Sequence, residues 1–377
     1  MKWWVMRTCV VLGMALGGLE YARAQRPPET HPSGTRQDVV MAWDRSAMPG
    51  DIELWAARTV LGYARQESLG YGELFLTCNS NSNAATGRCP TTDTLEDAAG
   101  TSSRIPVRFT EHRSGMHVEV EFTAEIRRAD ATAACSLDYW SRSPRPVWSS
   151  VASLCNGSKP VGTGAQLQLR ADELGRLFAG RWTATLELKL HKPPLQYLAS
   201  YIFSFEFTVT DHDAVAIYFP AFDQATPHVG LNLQYDPLSQ TVGGSTQLDM
   251  CLYDGLGSQS QYLGVTVRDT GTRPPGATGY SVWHGDGGND DRQRMDYTVS
   301  LDHSGTRLMM VNGVEQPLRG IDTAKLRLVM LPGTTQPVFC VPTPLILQTP
   351  RVPIASKRPG YYDGDLQVEL RVPTATP

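Results

Sequence analysis

This 377-residue chain has no strong charge of one sign: 34 Lys and Arg against 38 Asp and Glu leave a formal net charge of −4. Nucleic acid, whose binding rests on phosphate neutralisation by clustered cations, is therefore not an expected partner. Long apolar runs are also missing. Beyond the first two dozen residues, no stretch approaches the ~18 uninterrupted apolar residues of a spanning helix. Catalytic signatures are absent: there is no G-x-S-x-G, no H-E-x-x-H and no P-loop. No C-x-x-C spacing suggests zinc, and the eight histidines are scattered. We expect no catalytic residues, no metal and no cofactor. The paired carboxylates of a β-sandwich glycosidase leave no sequence signature, so a secreted glycan-active enzyme stays as the remote alternative.

What is present begins with an export signal. Met1-Lys2 leads into an apolar core through Leu16 and a small-x-small end at Ala22-Arg23-Ala24. This reads as a secretory signal peptide over residues 1–24, with cleavage leaving Gln25 first. Cys9 leaves with it, and Cys78, Cys89, Cys135, Cys155, Cys251 and Cys340 remain. An even count in an oxidising compartment reads as disulfides. Six cysteines allow 15 connectivities, of which loop economy favours Cys78–Cys89, Cys135–Cys155 and Cys251–Cys340.

Helix-type runs are few; Ala171–Phe178 is expected to form about two turns, and 51–66 reads as an irregular strand. Alternation of period two dominates instead. Val118, Val120, Phe122, Ala124 and Ile126 alternate with polar residues, so one face packs and the other meets water. The same pattern recurs around Leu186–Leu190, Tyr201–Val209, Val215–Phe219, Leu231–Tyr235, Leu263–Val267, Met295–Leu301 and Leu366–Val372. So many short half-buried strands joined by turns imply an all-β chain of immunoglobulin-type sandwiches. The polar run Thr210-Asp211-His212-Asp213 separates two such sets and is the expected domain boundary. The Pro-rich segment Arg26–Gly34 is expected to be mobile.

Two loops admit a bland and a sharp reading. Asp138-Tyr139-Trp140 and Trp148 lie in or near the second cysteine loop, where tryptophan packed beside a disulfide is the commoner fate than sugar stacking. The loop His284–Asp291 is rich in Asp and Gly but lacks the spaced acidic series of a calcium loop, and reads as a solvated connection.

Four segments resemble the tip-adhesin family of class 5 fimbriae and the related minor subunits of cable pili. Tyr71–Cys78, continuing to Gly87-Arg88-Cys89-Pro90-Thr91, is similar to that family's first cysteine loop. Val107–Ser114 is similar to its Q-F-T-E-K-R-S stretch, and Asp249-Met250-Cys251-Leu252-Tyr253-Asp254-Gly255 to D-M-C-F-Y-D-G. Val209-Thr210-Asp211, followed by Ile217-Tyr218-Phe219-Pro220, falls where the family joins its domains.

The resemblance implies two immunoglobulin-like sandwiches: an adhesin domain over 25–211 and an incomplete pilin domain over 212–377. The pilin domain would be completed by a donor strand from the major pilin after a periplasmic chaperone and an outer-membrane usher have handled it. It implies export through the periplasm, a place at the pilus tip on the cell surface, and a host receptor, a glycan or a protein. A structural assembly initiator with no receptor of its own is the alternative. The donor groove is expected between Val215, Ile217 and Phe219 on one side and Leu366, Val368 and Leu370 on the other. The segment Gln25–Asp38, with three prolines and no apolar alternation, is a poor strand donor. For the receptor, the family's pattern implies a basic cluster suited to an anionic sugar. Here Glu73 stands before the first cysteine where a basic residue is expected, and the expected basic run is His191-Lys192-Pro193-Pro194. The receptor candidates are Lys192, His191, Arg113 and Arg108.

Overall fold

The computed structural model describes residues 25–95, 98–155, 157–222, 226–334 and 336–373; the expected signal peptide, with Cys9, lies outside them. The first β-rich domain contains β1 (Thr35–Asp44), β2 (Ile52–Tyr63), β3 (Phe75–Thr77), β4 (Ser103–Glu111), β5 (His117–Ala129), β6 (Gly162–Leu169), β7 (Gly180–Lys192) and β8 (Gln196–Thr210). They pair in the order β1-β8-β7-β4-β5-β6-β2, with β3 added to β7. Alternation explains the burial. Val120, Phe122, Ala124 and Ile126 of β5 and Phe203, Phe205, Phe207 and Val209 of β8 all point into one core. The sheet rolls on itself: Trp55 of β2 meets Tyr201 and Phe203 of β8 edge-on at 5.0 and 5.5 Å, although four strands lie between them in the pairing order.

The ambiguous segment 51–66 is strand, with register shifts against β6 and Arg58 at φ 67°. The expected two-turn helix is shorter: α1 spans Ala171–Leu174, and the chain leaves it at Gly175. The expectation of a mobile Pro-rich segment is not met. Thr30 and Tyr63 exchange two backbone hydrogen bonds of 2.8 Å, His31 Nδ1 lies 2.9 Å from the Tyr71 hydroxyl, and Pro27 is buried. Proline lacks only a donor, so this segment can dock through side chains and isolated bridges. Beyond it, β1 runs parallel to β8 over ten residue pairs, Thr35↔Tyr201 to Asp44↔Thr210.

The second β-rich domain holds β9 (Ala216–Tyr218), β10 (Leu233–Asp236), β11 (Thr241–Leu248), β12 (Cys251–Tyr253), β13 (Tyr262–Asp269), β14 (Tyr280–His284), β15 (Arg294–His303), β16 (Thr306–Met310), β17 (Gln316–Arg319), β18 (Arg327–Val329), β19 (Val338–Pro342), β20 (Leu345–Pro353), β21 (Tyr362–Asp363) and β22 (Leu366–Arg371). They make three sheets: β10-β11-β20-β15-β14-β21 with β16 on β15, then β18-β19-β12-β9, and β17-β13-β22. Leu263, Val265 and Val267 of β13 face Met295, Tyr297, Val299 and Leu301 of β15 in a second core.

All three disulfides follow loop economy. Cα separations are 5.2 Å for Cys78–Cys89, 5.6 Å for Cys135–Cys155 and 5.7 Å for Cys251–Cys340. Trp140 is buried and Trp148 packs on the first core, which favours packing over sugar stacking. In the loop 284–291, Asp286 is held by Arg358 at 2.6 Å and by Gln293 Nε2 at 2.8 Å, while Asp290 caps the short turn Asp291–Gln293.

Candidate functional site

Strand register places the first receptor candidates at one end of the first domain. His191 pairs with Phe75 across β7 and β3. Its ring stacks on Phe75 at 5.6 Å and meets Tyr197 edge-on at 5.9 Å. Burial pushes the His191 imidazole down, so it is a neutral core ring at physiological pH and not an anion-binding cation. Lys192 bends back, its Nζ donating to the Leu69 carbonyl at 3.4 Å. The next two residues, Pro193 and Pro194, form one wall of a cleft of about 660 Å3, with Glu73, Asp93 and Ser150 among the other lining residues.

A buried arginine, which sequence reasoning missed, holds this cleft together. Arg128 on β5 is fully buried. Its Nη1 donates to the Leu74 carbonyl and to Thr163 Oγ1, both at 2.7 Å, and its Nη2 to the Ser149 carbonyl at 2.7 Å. Its Nε reaches the Val151 carbonyl at 3.0 Å. Leu74 follows Glu73 on one wall, and Ser149 and Val151 flank Ser150 on the other. Thr163 Oγ1 in turn donates to the Tyr71 carbonyl at 2.8 Å. Burial, reinforced by Arg145, pushes the Arg128 guanidinium down to about 9, while Glu73 opposes that shift. It therefore remains protonated at neutral pH. The signal in sequence was weak: Arg128 breaks the inward alternation of β5 only at its end.

Arg108 and Arg113 lie elsewhere. Arg108 sits on β4 opposite Glu119, with Nη2 donating to Asn83 Oδ1 at 3.2 Å. Arg113 occupies the β4–β5 turn, and that turn adjoins the start of β7 through the pair Glu111↔Trp182. Trp182 and Lys192 are ten residues apart on one strand, about 33 Å at the usual rise. The four candidates do not form one patch.

Arg113 instead joins the domains. Its Nε donates to the Ser258 carbonyl at 2.8 Å, and its Nη2 to those of Ile321 and Ala324 at 2.7 and 2.8 Å. Nη1 donates to the Asp322 carbonyl. With the guanidinium committed to four carbonyls, Arg113 is removed from the receptor candidates. Two buried carboxylates shape the parts it connects. Glu111 Oε2 accepts from the backbone N–H of Arg113 at 3.1 Å and of Ser114 at 2.6 Å. Asp254 Oδ1 accepts from the N–H groups of Leu256 and Ser258 at 2.8 and 2.7 Å, and Oδ2 from that of Ser260 at 3.0 Å. Gly255, at φ 71°, sits where a side chain would collide: a Cβ there would lie 2.5 Å from the Asp211 carbonyl. The Asp211 N–H donates to the Gly255 carbonyl at 2.7 Å. Two of the recognisable sequence stretches, Val107–Ser114 and Asp249–Gly255, therefore meet at the joint.

In the second domain, β9 and β22 are edge strands. Among the described residues β9 pairs with β12 and β22 with β13, each on one side only. Ile217, Phe219, Leu366, Val368 and Leu370 are half-buried and pack against the same core. Val215 departs from its expected place: the paired strand begins at Ala216, and Val215 Cγ2 lies near Gly255 at the joint.

The comparisons with known proteins cover both domains. The family model for the first domain of CfaE, a CFA/I fimbrial subunit, matches residues 21–212, and that for the second domain matches 215–374. The chain is 27% identical over 311 residues to CfaE, the CFA/I fimbrial subunit of Escherichia coli, covering 79% of this chain and 80% of the relative. The crystal structure of CfaE, the adhesive subunit of CFA/I fimbria of enterotoxigenic E. coli, aligns with a TM-score of 0.69 at 23% identity, covering 93% of this chain and 95% of that one. A structure described as a chaperone–tip adhesin complex of CFA/I fimbriae aligns with a TM-score of 0.66 at 23% identity, covering 93% of this chain and 99% of that one.

Proposed function

Because this chain belongs to the CfaE family of CFA/I fimbrial subunits and is by that membership a fimbrial tip adhesin of the cell surface, we propose how it divides the work between its domains. Residues 25–211 are the receptor-binding domain, and residues 212–377 are a pilin domain that accepts a donor strand. The pairing of β9 and β22 carries this reading. They are edge strands whose half-buried apolar side chains share one core. An unfilled apolar edge is an association hazard, and an added strand satisfies it through backbone hydrogen bonds and side-chain pockets. The groove is formed by Ile217, Phe219, Leu366, Val368 and Leu370, with Val215 at its joint-facing end.

The occupant in the fimbria is a segment of the major pilin, preceded by a periplasmic chaperone, with an outer-membrane usher completing assembly. The chain's own segment 30–44 is already engaged, Thr30 on Tyr63 and β1 along β8, and is not free to be donated. That suits a terminal subunit. Relatives of this chain are adhesin subunits and not enzymes, and no role as an enzyme is proposed. The receptor is a host-surface molecule met at the end of the first domain remote from the joint, where Lys192 is the remaining candidate cation; Arg108 lies on the β4 face.

The test is adherence. Fimbriate bacteria carrying the full chain are expected to bind host cells, and those carrying only residues 212–377 at the tip are expected to assemble fimbriae without binding. Equal binding by both would support the alternative of a structural initiator.

A further inference from the structure

The cleft above Arg128 contains a half-buried carboxylate without a donor. Glu73 makes no side-chain hydrogen bond or ion pair with any described residue. Asp93, on the same cleft, accepts a hydrogen bond from the Ser150 hydroxyl on Oδ2 and has acceptor capacity left. Beside these acceptors lie apolar surfaces: Leu95, 81% exposed, and the rings of Pro193 and Pro194. A cleft of this volume is on the scale of small-molecule sites, which pair apolar lining with a few directed polar groups. Arg128 braces opposite walls through the Leu74, Ser149 and Val151 carbonyls, so the arrangement is preformed.

Charge decides the class of ligand. Two carboxylates at the mouth oppose a carboxylate or sulfate on a ligand. The buried Arg128 beneath Glu73, and Lys192 next to Pro193, offset those carboxylates and weaken the attraction for a free cation. What remains favourable is an uncharged molecule rich in hydroxyl donors with one apolar face, because hydroxyl-to-carboxylate hydrogen bonds are the strong, charge-assisted kind. We propose that this cleft is a receptor subsite for an uncharged saccharide, its hydroxyls donating to Glu73 and Asp93 and a C–H face resting on Pro193, Pro194 and Leu95. The proposal rests on the adhesin reading above and names the ligand that reading leaves open. It differs from the anionic-sugar expectation drawn from resemblance, because Glu73 stands where that expectation needs a cation.

The full chain, purified as its chaperone complex, is tested on printed glycans ending in galactose, mannose, N-acetylglucosamine or fucose, beside sialylated and sulfated versions, with spermine as competitor. Retention of uncharged glycans is expected, weakened at least tenfold by Glu73→Ala, and equally by Ala152→Trp, which fills the cleft from its rim. Both variants should melt like the parent. Preference for sialylated or sulfated glycans, competition by spermine, or cleft variants that bind like the parent would each overturn the proposal. If no glycan is retained while fimbriate bacteria still adhere to host cells, the saccharide assignment falls and the adhesin reading stands. Loss of cell adherence as well sinks both.

Discussion

The two domains solve the same problem of sheet edges differently. In the first, the chain's own β1 lies along β8 in parallel over ten residue pairs, and the rolled sheet closes over one core. In the second, β9 and β22 each keep a single neighbour among the described residues, while their apolar side chains stay half-buried. Both are sandwiches of alternating strands, so the difference lies in who supplies the strand at the edge. A domain completed by its own chain is self-sufficient; one completed by another chain is stable only as part of an assembly.

The sharpest way to break this comparison is to separate the domains. Residues 212–377 alone are expected to aggregate or melt near ambient temperature. A tethered donor segment burying four apolar side chains should add on the order of 6 kcal/mol or more, read as a large rise in melting temperature. Residues 25–211 should melt cooperatively without help. Equal stability of the second domain with and without the segment would contradict the open-groove account.

A second experiment sharpens the self-sufficiency of the first domain. Arg128→Met leaves the Leu74, Ser149 and Val151 carbonyls without their donor, and each buried orphan costs about 1–3 kcal/mol. A loss of about 4 kcal/mol is expected from the first domain's stability in denaturant, with the second domain's transition unmoved. A shift in both transitions would mean that the network serves the whole molecule.

The joint sets how far the domains are independent. Arg113→Ala removes hydrogen bonds to four carbonyls across it, and an effect of about 2 kcal/mol on docking is expected. It should appear as faster proteolysis at residues 211–215 and a more extended solution scattering profile, with each domain's own melting unchanged. Unchanged proteolysis would place the rigidity elsewhere, for instance in the contact of Phe178 with Phe339 at 6.0 Å.

The smallest effect concerns Asp44, at the end of β1. Burial pushes its carboxyl up, but hydrogen bonds from Ser46, Thr210 and the His212 N–H outweigh this and hold it well below the usual carboxylate range. A depressed folded value means that the stabilisation is present at neutral pH and is lost as pH falls below about 4. Asp44→Asn should lower the melting temperature by the equivalent of about 1 kcal/mol at pH 7 and flatten the acid limb. A variant with the parent's acid limb would show that other carboxylates govern it.

Much of the fold was legible in sequence, for a local reason. Period-two alternation reports which face of a strand is buried, and it identified β5, β7, β8, β13 and β15 because their neighbours in sequence carry the whole signal. Loop economy found the disulfides for a similar reason: two of the three close within 20 residues. The site was legible only in part. Residue type suggested Arg113 and His191 as cations, but a cation's availability depends on what surrounds it. Arg113 is committed to carbonyls of the second domain, and His191 is stacked on Phe75. Arg128 went unnoticed because a single arginine in a strand carries no mark of burial.

By itself, then, the amino-acid order determined the all-β class, the export-type cysteine chemistry and the run of residues at which the two sets of strands part. These follow from side-chain periodicity and compartment chemistry, which act over a few residues. Only the tertiary structure decided that the Pro-rich segment docks, that two recognisable stretches meet at a joint, and that Glu73 and Asp93 share a cleft braced by a buried guanidinium. Those outcomes depend on contacts between residues 30 and 63, 113 and 321, or 128 and 149. No local pattern encodes such pairs, because long-range contacts are set by how the sheets roll and dock as a whole.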